Sequence, residues 1–185
     1  MAIRVEVSVK WGFVGRPRFS GTYDYSVDSK GRVAIPVAFR KELGPSEETF
    51  FLVPGRDMTI EVHPLSAWDD YENRTLLKFP EDRREAQRAS RYLYASATKA
   101  TLDSQGRILL PKRLKERAGI KNEVVFAGAG NCFEIWEPQR FHAYMEEAEK
   151  SYDQDRNVAS RQRRQGEPEH DRSGGTEVSR AGDGQ

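Results

Sequence analysis

The chain is expected to fold as an α+β protein built from one small unit written twice. Three observations predict this. The stretch "DSKGRVAIP" at 28–36 returns as "DSQGRILLP" at 103–111, with Asp28/Asp103, Ser29/Ser104, Gly31/Gly106, Arg32/Arg107 and Pro36/Pro111 identical. Each copy leads into a short amphipathic stretch ending in glycine, "PVAFRKELG" (36–44) and "PKRLKERAG" (111–119). Two strand-like segments then follow in each half. Self-similarity at one long period marks duplication of a small domain, since a solenoid needs several stacked repeats.

The elements can be justified in order. Upstream of each aspartate runs an alternating segment, "GTYDYSV" (21–27) or "ATKATL" (97–102), and downstream lies "RVAI" or "RILL". Two strands joined by Asp-Ser-Lys/Gln-Gly read as a hairpin. The aspartate accepts hydrogen bonds from N–H groups inside the turn, and the glycine supplies the positive φ of a type I turn with a bulge. Pro36 and Pro111 suit a first helical turn, where the missing N–H has no partner anyway. Gly44 and Gly119 suit the position past a helix end. Phe39 with Leu43, and Leu114 with Ala118, are spaced to share one helix face.

The next strands are "TFFLV" (49–53) and "MTIEV" (58–62) in the first half, "VVFAG" (124–128) and "FEIW" (133–136) in the second. Ile60-Glu61-Val62 aligns with Phe133-Glu134-Ile135, 73 positions on, so the first half has a loop about two residues longer. "PLSAWDDY" (64–71) and "QRFHAY" (139–144) then read as amphipathic helices, with Trp68 matching Phe141 and Tyr71 matching Tyr144. Between the halves, Ala86, Ala89 and Leu93 recur at helical spacing among Arg and Glu. The N-terminal "MAIRVEVSVKW" alternates like a strand and lacks the apolar run of a signal peptide. From Arg156 the chain has few large hydrophobic residues and is expected to be disordered. The expected organisation is an N-terminal extension (1–18), a first repeat (19–80), a connecting helix (81–95), a second repeat with a C-terminal helix (96–150) and a disordered tail (156–185).

Composition bounds the function. The net charge of +1 over 185 residues makes the whole chain no obvious polyanion binder, so a nucleic-acid role must rest on local charge. The single cysteine, Cys132, rules out an intrachain disulfide and fits a reducing cytosol. No run reaches 18 apolar residues, so no membrane-spanning helix is expected. The inventory for catalysis is thin: His63, His142 and His170 lack metal-ligand spacing, Cys132 reads as a small buried filler, and no phosphate-cradling glycine loop is present. Glu61 and Glu134 alternate with apolar neighbours, as on a solvated sheet face. Trp68, Trp136 and Phe141 read either as core or as anchors between subunits. The basic run "PKRLKER" (111–117) reads as the polar face of a helix, with contact to a DNA backbone as the alternative.

The arginines are the informative residues. Nothing in a tight turn requires a guanidinium just after the glycine. Arg32 and Arg107 either pair with Asp28 and Asp103 four residues earlier, or present a planar fork to phosphate or to the O6/N7 edge of guanine.

Taken together, "FSGTYDYSVDSKGRVAIPVAFRKEL", "ATLDSQGRILLPKRLKERAGI" and "VVFAGAGNCFEIWEPQRFHAY" resemble the MraZ family of bacterial transcriptional regulators of the division and cell-wall gene cluster, from about Phe19 to Tyr144. One copy of D-x-x-G-R-x-x-x-P alone would indicate only the wider SpoVT-AbrB class. The resemblance implies a β-barrel of two pseudo-symmetric SpoVT-AbrB units with packed helices. It also implies rings of many subunits and binding to G-rich direct repeats in double-stranded DNA, in the cytoplasm at the nucleoid. No enzyme activity, cofactor, metal, membrane or small-molecule substrate is expected. The DNA-binding set is Arg32, Lys30, Arg107, Ser29 and Gln105; Asp28, Gly31, Asp103 and Gly106 form the structural turns. Gln105 stands where Lys30 stands in the first copy, so the first turn is expected to dominate affinity. The alternative is a ring-forming assembly module without direct DNA readout.

Overall fold

In the computed structural model, residues 17–73 and 83–165 are described. The N-terminal alternating segment, residues 81–82 of the connector, and the tail beyond Gln165 with His170 lie outside them. Among the described residues, eight strands and five helices run in the order β1 (Thr22–Ser26), β2 (Arg32–Ala34), α1 (Val37–Lys41), β3 (Thr49–Pro54), β4 (Ile60–Pro64), α2 (Leu65–Tyr71), α3 (Arg84–Ser96), β5 (Thr98–Thr101), β6 (Arg107–Leu109), α4 (Lys112–Arg117), β7 (Glu123–Gly128), β8 (Phe133–Trp136) and α5 (Pro138–Gln165). The architecture is α+β, with antiparallel sheets and helices.

The expected hairpins do not form. β1 pairs with β7 of the other repeat, with Asp24 opposite Val125. β5 pairs with β3, with Phe51 opposite Lys99. The strands after the two turns pair with each other, β2 against β6, with Val33 opposite Ile108. The six-stranded sheet therefore runs β1-β7-β8-β4-β3-β5, beside a two-stranded β2-β6 ribbon. The reason lies at the turn. Asp28 N–H donates to the Arg32 carbonyl at 2.8 Å, and Asp103 N–H to the Arg107 carbonyl at 2.8 Å. Beyond that bond each strand finds a longer partner in the other repeat. The repeats are thus interleaved: each contributes its first strand to the other's edge.

The core follows from the alternation. Val33 and Ile108 point inward from the ribbon, and Phe50, Leu52, Ile60, Val62, Phe126, Phe133 and Ile135 point inward from the larger sheet. Phe39 of α1 sits among them, with ring centroids 5.1 Å from Phe133, 5.2 Å from Tyr23 and 5.4 Å from Phe19. Leu114, its counterpart on α4, is buried in the same core.

Pro36 and Pro111 stand one residue ahead of α1 and α4, capping them without a side-chain bond. Gly119 takes the left-handed conformation after α4 (φ 70°), whereas α1 stops at Lys41 and Gly44 does not. The longer first loop forms a short 3-10 turn at Arg56–Met58, with Asp57 and Met58 at positive φ.

α5 corrects the expected tail. The helix continues through Gln165, well past Arg156. Between 139 and 165 there is neither proline nor glycine, and Ala, Glu, Gln, Lys and Arg are strong helix formers. The segment needs no core to be helical in sequence terms, and Gly166 and Pro168 come only afterwards. The described residues divide into two units, one up to Ala143 and one from Tyr144. Within the second, Ser151 Oγ donates to Asp155 Oδ2 at 2.6 Å.

Candidate nucleic-acid interface

Each aspartate of the repeated motif holds its turn with both oxygens. Asp28 Oδ1 accepts the backbone N–H groups of Lys30 and Arg32, both at 2.9 Å. Asp103 Oδ1 accepts those of Gln105 at 2.9 Å and Arg107 at 3.0 Å. Gly31 and Gly106 close the turns at φ 81° and 72°, where a side chain would be strained. The second oxygen takes the guanidinium. Arg32 Nε and Nη2 lie 2.9 and 2.8 Å from Asp28 Oδ2. Arg107 Nε and Nη2 lie 2.8 and 2.7 Å from Asp103 Oδ2.

The antiparallel β2–β6 register then brings the two pairs together. Arg32 and Ala34 share one face of the ribbon with Leu109 and Arg107, while Val33 and Ile108 face the core. Arg32 Nη1 comes within 3.8 Å of Asp103 Oδ2, and Arg107 Nη1 within 3.8 Å of Asp28 Oδ2. Four charges form one closed cluster across the pseudo-dyad. The arginines are therefore not thrust freely outward. Their side chains remain 31% and 24% exposed, gripped edge-on by carboxylates.

These contacts also set the carboxylates' acidity. Asp28 is held below its ordinary value, chiefly by the Arg32 N–H bond. Asp103 is lowered to about 2, chiefly by the Arg107 guanidinium. Both are therefore ionised near neutral pH. Ser29, Lys30 and Gln105 are exposed at the turn tips.

The helices add two arginines that sequence reading missed. Arg40 of α1 is exposed and lies against Gly106 of the other repeat's turn. Arg117, part of the basic run, is turned into the protein: its Nη1 and Nη2 donate to the carbonyls of Thr59 and Gly55 at 3.1 and 2.9 Å. No local spacing signals either contact, because each spans the two repeats.

The opposite side of the larger sheet differs from expectation. Glu61 and Glu134 stand opposite each other on β4 and β8, but their face is covered, not solvated. Glu61 is only 17% exposed, and its Oε2 lies 3.1 Å from Nε2 of the buried His63. Tyr71 of α2 lies over His63, ring centroids 4.0 Å apart. Trp136 Nε1 donates to Glu134 Oε2 at 2.9 Å. Trp68, Trp136 and Phe141 are all buried within the protomer. Cys132 is buried too, and burial, with the charges of Glu61 and Glu134, pushes its thiol up to about 12. Such a thiol is a poor nucleophile at neutral pH. Among the described residues no group of His, Cys, Asp and Glu has metal-binding geometry.

Glu134 carries a pH-dependent cost. Burial raises its pKa, with Glu61 and Asp57 adding to the rise and the Trp136 bond opposing it. A carboxyl with a raised folded value loses stability as pH climbs from its unfolded value through the folded one. Glu134→Gln keeps an acceptor for Trp136 and removes the charge. It should raise Tm at pH 7, where each gain of about 1 kcal/mol moves Tm by roughly 2–4 °C in a domain of this size. The gain should vanish near pH 4, where the wild-type carboxyl is protonated. Thermal melts at both pH values check this, and an equal or lower Tm at pH 7 refutes it.

Comparison with known proteins places this architecture. The family model described as "MraZ protein, putative antitoxin-like" matches residues 18–91 and 93–162, one repeat each. The protein named "Transcriptional regulator MraZ" from Halothermothrix orenii is 37% identical over 136 residues, 74% of this chain and 92% of that protein. Its namesake from Moorella thermoacetica is 38% identical over 135 residues, covering 73% and 92%, and that from Ligilactobacillus salivarius 36% over the same length and shares. With both repeats matched and nearly the whole length of these relatives covered, this chain belongs to the MraZ family.

Proposed function

We propose that this chain is a transcriptional regulator that binds double-stranded DNA sequence-specifically, as a ring whose subunits each offer the β2–β6 ribbon to G-rich direct repeats. The name shared by its relatives supports the regulatory part. The chemistry of the ribbon supports the DNA part. The observation that carries the reading is the register that gathers Arg32 and Arg107, both partly exposed, on the ribbon face away from the core, each fixed in orientation by its own aspartate.

The edge-on grip engages Nε and Nη2 of each guanidinium. A guanidinium has five N–H donors, so donors on Nη1 and Nη2 are left over for a base edge or phosphate. Fixing the fork in advance lowers the conformational cost of binding. Lys30 reaches phosphate, and Ser29 and Gln105 stand beside the bases. The shared core suggests that ribbon and larger sheet close into one small barrel, which holds the two turns at fixed separation. One such face binds weakly, and a ring of linked copies gains by avidity. Head-to-tail subunits would match directly repeated DNA. A cytoplasmic, nucleoid-associated location follows from this role, and no cofactor or small-molecule substrate is assigned.

The test is a mobility-shift titration with a duplex from the region immediately upstream of the chain's own coding sequence. Binding should exceed that of a shuffled duplex and fall steeply as salt rises. Equal affinity for both duplexes would defeat sequence-specific recognition.

A further inference from the structure

The two turns have the same backbone but different company. Ile35 N–H donates to the Gly106 carbonyl at 3.0 Å, and the symmetric bond runs from Leu110 N–H to the Gly31 carbonyl at 2.9 Å. Each turn is thus tied to the chain entering the other repeat's helix. The side chains beyond those bonds break the symmetry. At Gly106 a Cβ would meet Arg40, 2.7 Å from Nη1 and 3.0 Å from Cζ. At Gly31 the matching position meets, among the described residues, only Leu109 Cδ1 and the Leu110 carbonyl within 4 Å. Lys115, the counterpart of Arg40, does not reach there.

This asymmetry falls where the repeat itself is asymmetric. The first turn carries Asp28, Lys30 and Arg32, a net single positive charge; the second carries Asp103, Gln105 and Arg107, which sum to zero. Arg40 stands beside the turn that lacks the cation. It is exposed, its Nε is anchored on the Ile35 carbonyl at 3.2 Å, and it forms no ion pair among the described residues.

Resting on the DNA-binding reading above, the geometry points to Arg40 as a phosphate-contacting residue that replaces, in the second turn, the charge Lys30 supplies in the first. Helix α1 of one repeat thereby completes the binding tip of the other. The two turns then contribute comparably, where Gln105 alone would have left the second weaker. The anchored Nε fixes the plane of the guanidinium, and the Nη groups are the ones offered to DNA.

The experiment measures the slope of log affinity against log salt for the full-length chain, by fluorescence anisotropy. The probes are the upstream duplex and a shuffled duplex, because a phosphate contact acts on both. Arg40→Ala should lower the slope by about one for each subunit seated on DNA, and Lys30→Ala should do the same. Arg40→Lys should restore the slope, since phosphate needs only the charge. Arg40→Gln, which keeps a donor for the Ile35 carbonyl, should behave like Arg40→Ala in slope while melting like wild type. A wild-type slope in both Arg40→Ala and Arg40→Gln overturns the inference, and so does a slope that Arg40→Lys fails to restore. If Lys30→Ala lowers the slope and Arg40→Ala does not, Arg40 is merely structural and the DNA-binding reading survives. If wild type shows no salt-sensitive binding to either duplex, both fall together.

Discussion

Arg32→Ala should weaken binding to the upstream duplex by about 5–150-fold per contact, the range set by about 1–3 kcal/mol for a good bidentate base contact. Its effect on folding should be much smaller. Arg32 and Asp28 are each about a third exposed, and exposed ion pairs contribute roughly 0–1 kcal/mol. Truncation also leaves Asp28 and Asp103 facing each other with one guanidinium between them. A modest fall in Tm is therefore expected, and it must be separated from lost recognition. Arg32→Lys does so. Lysine keeps the charge but loses the planar fork and the edge-on grip on Asp28. This variant should bind shuffled DNA nearly as well as wild type, yet lose most of its preference for the upstream duplex. Arg107→Lys should behave alike, because the register makes the two arginines near-equivalent. Undiminished discrimination by both lysine variants would show that the arginines serve only the turn.

The turn chemistry was legible because it is local. Asp28 to Arg32 is a five-residue sentence, and aspartate and glycine at those offsets have few other uses. The strands and helices were legible for the same reason: Phe39, Leu114, Ile60 and Ile135 announce their faces by spacing. Pairing was not. A hairpin and an exchanged strand require the same alternation in "GTYDYSV", and only the packing of both repeats around Phe133 and Phe126 decides between them. Glu61 and Glu134 misled for a related reason. Alternation shows that they leave the core face, but not that α2 and Tyr71 cover the other one. Arg40 was invisible because its partner lies in the other repeat, as was Arg117's hold on Gly55 and Thr59. The family resemblance supplied the class of partner, which no spacing in the chain encodes.

Phe39→Ala should have the largest effect on stability of any single truncation in the repeats. The ring is 1% exposed and touches Phe19, Tyr23 and Phe133 from both halves of the molecule. Burying so large a ring and then deleting it typically costs about 3–5 kcal/mol, a sizeable part of the roughly 5–15 kcal/mol available to a domain. α1 is five residues long, far below the length at which a helix persists alone. Phe39 is its only buried residue, so the helix should loosen with it. Arg40 would then lose its place beside Gly106, and DNA affinity should fall along with stability. Leu114→Ala on α4 should cost less, about 2–5 kcal/mol, and leave Arg40 in place. Strand exchange makes a further demand on the Phe39→Ala variant. Because β1 lies on β7 and β5 on β3, neither repeat can unfold and leave the other intact. Urea titrations of Phe39→Ala, followed in one protein by tryptophan fluorescence and by far-ultraviolet circular dichroism, should therefore report one shared, lowered midpoint. Two separated midpoints would mean that the repeats fold independently and that the interleaving does not bind them into one cooperative unit.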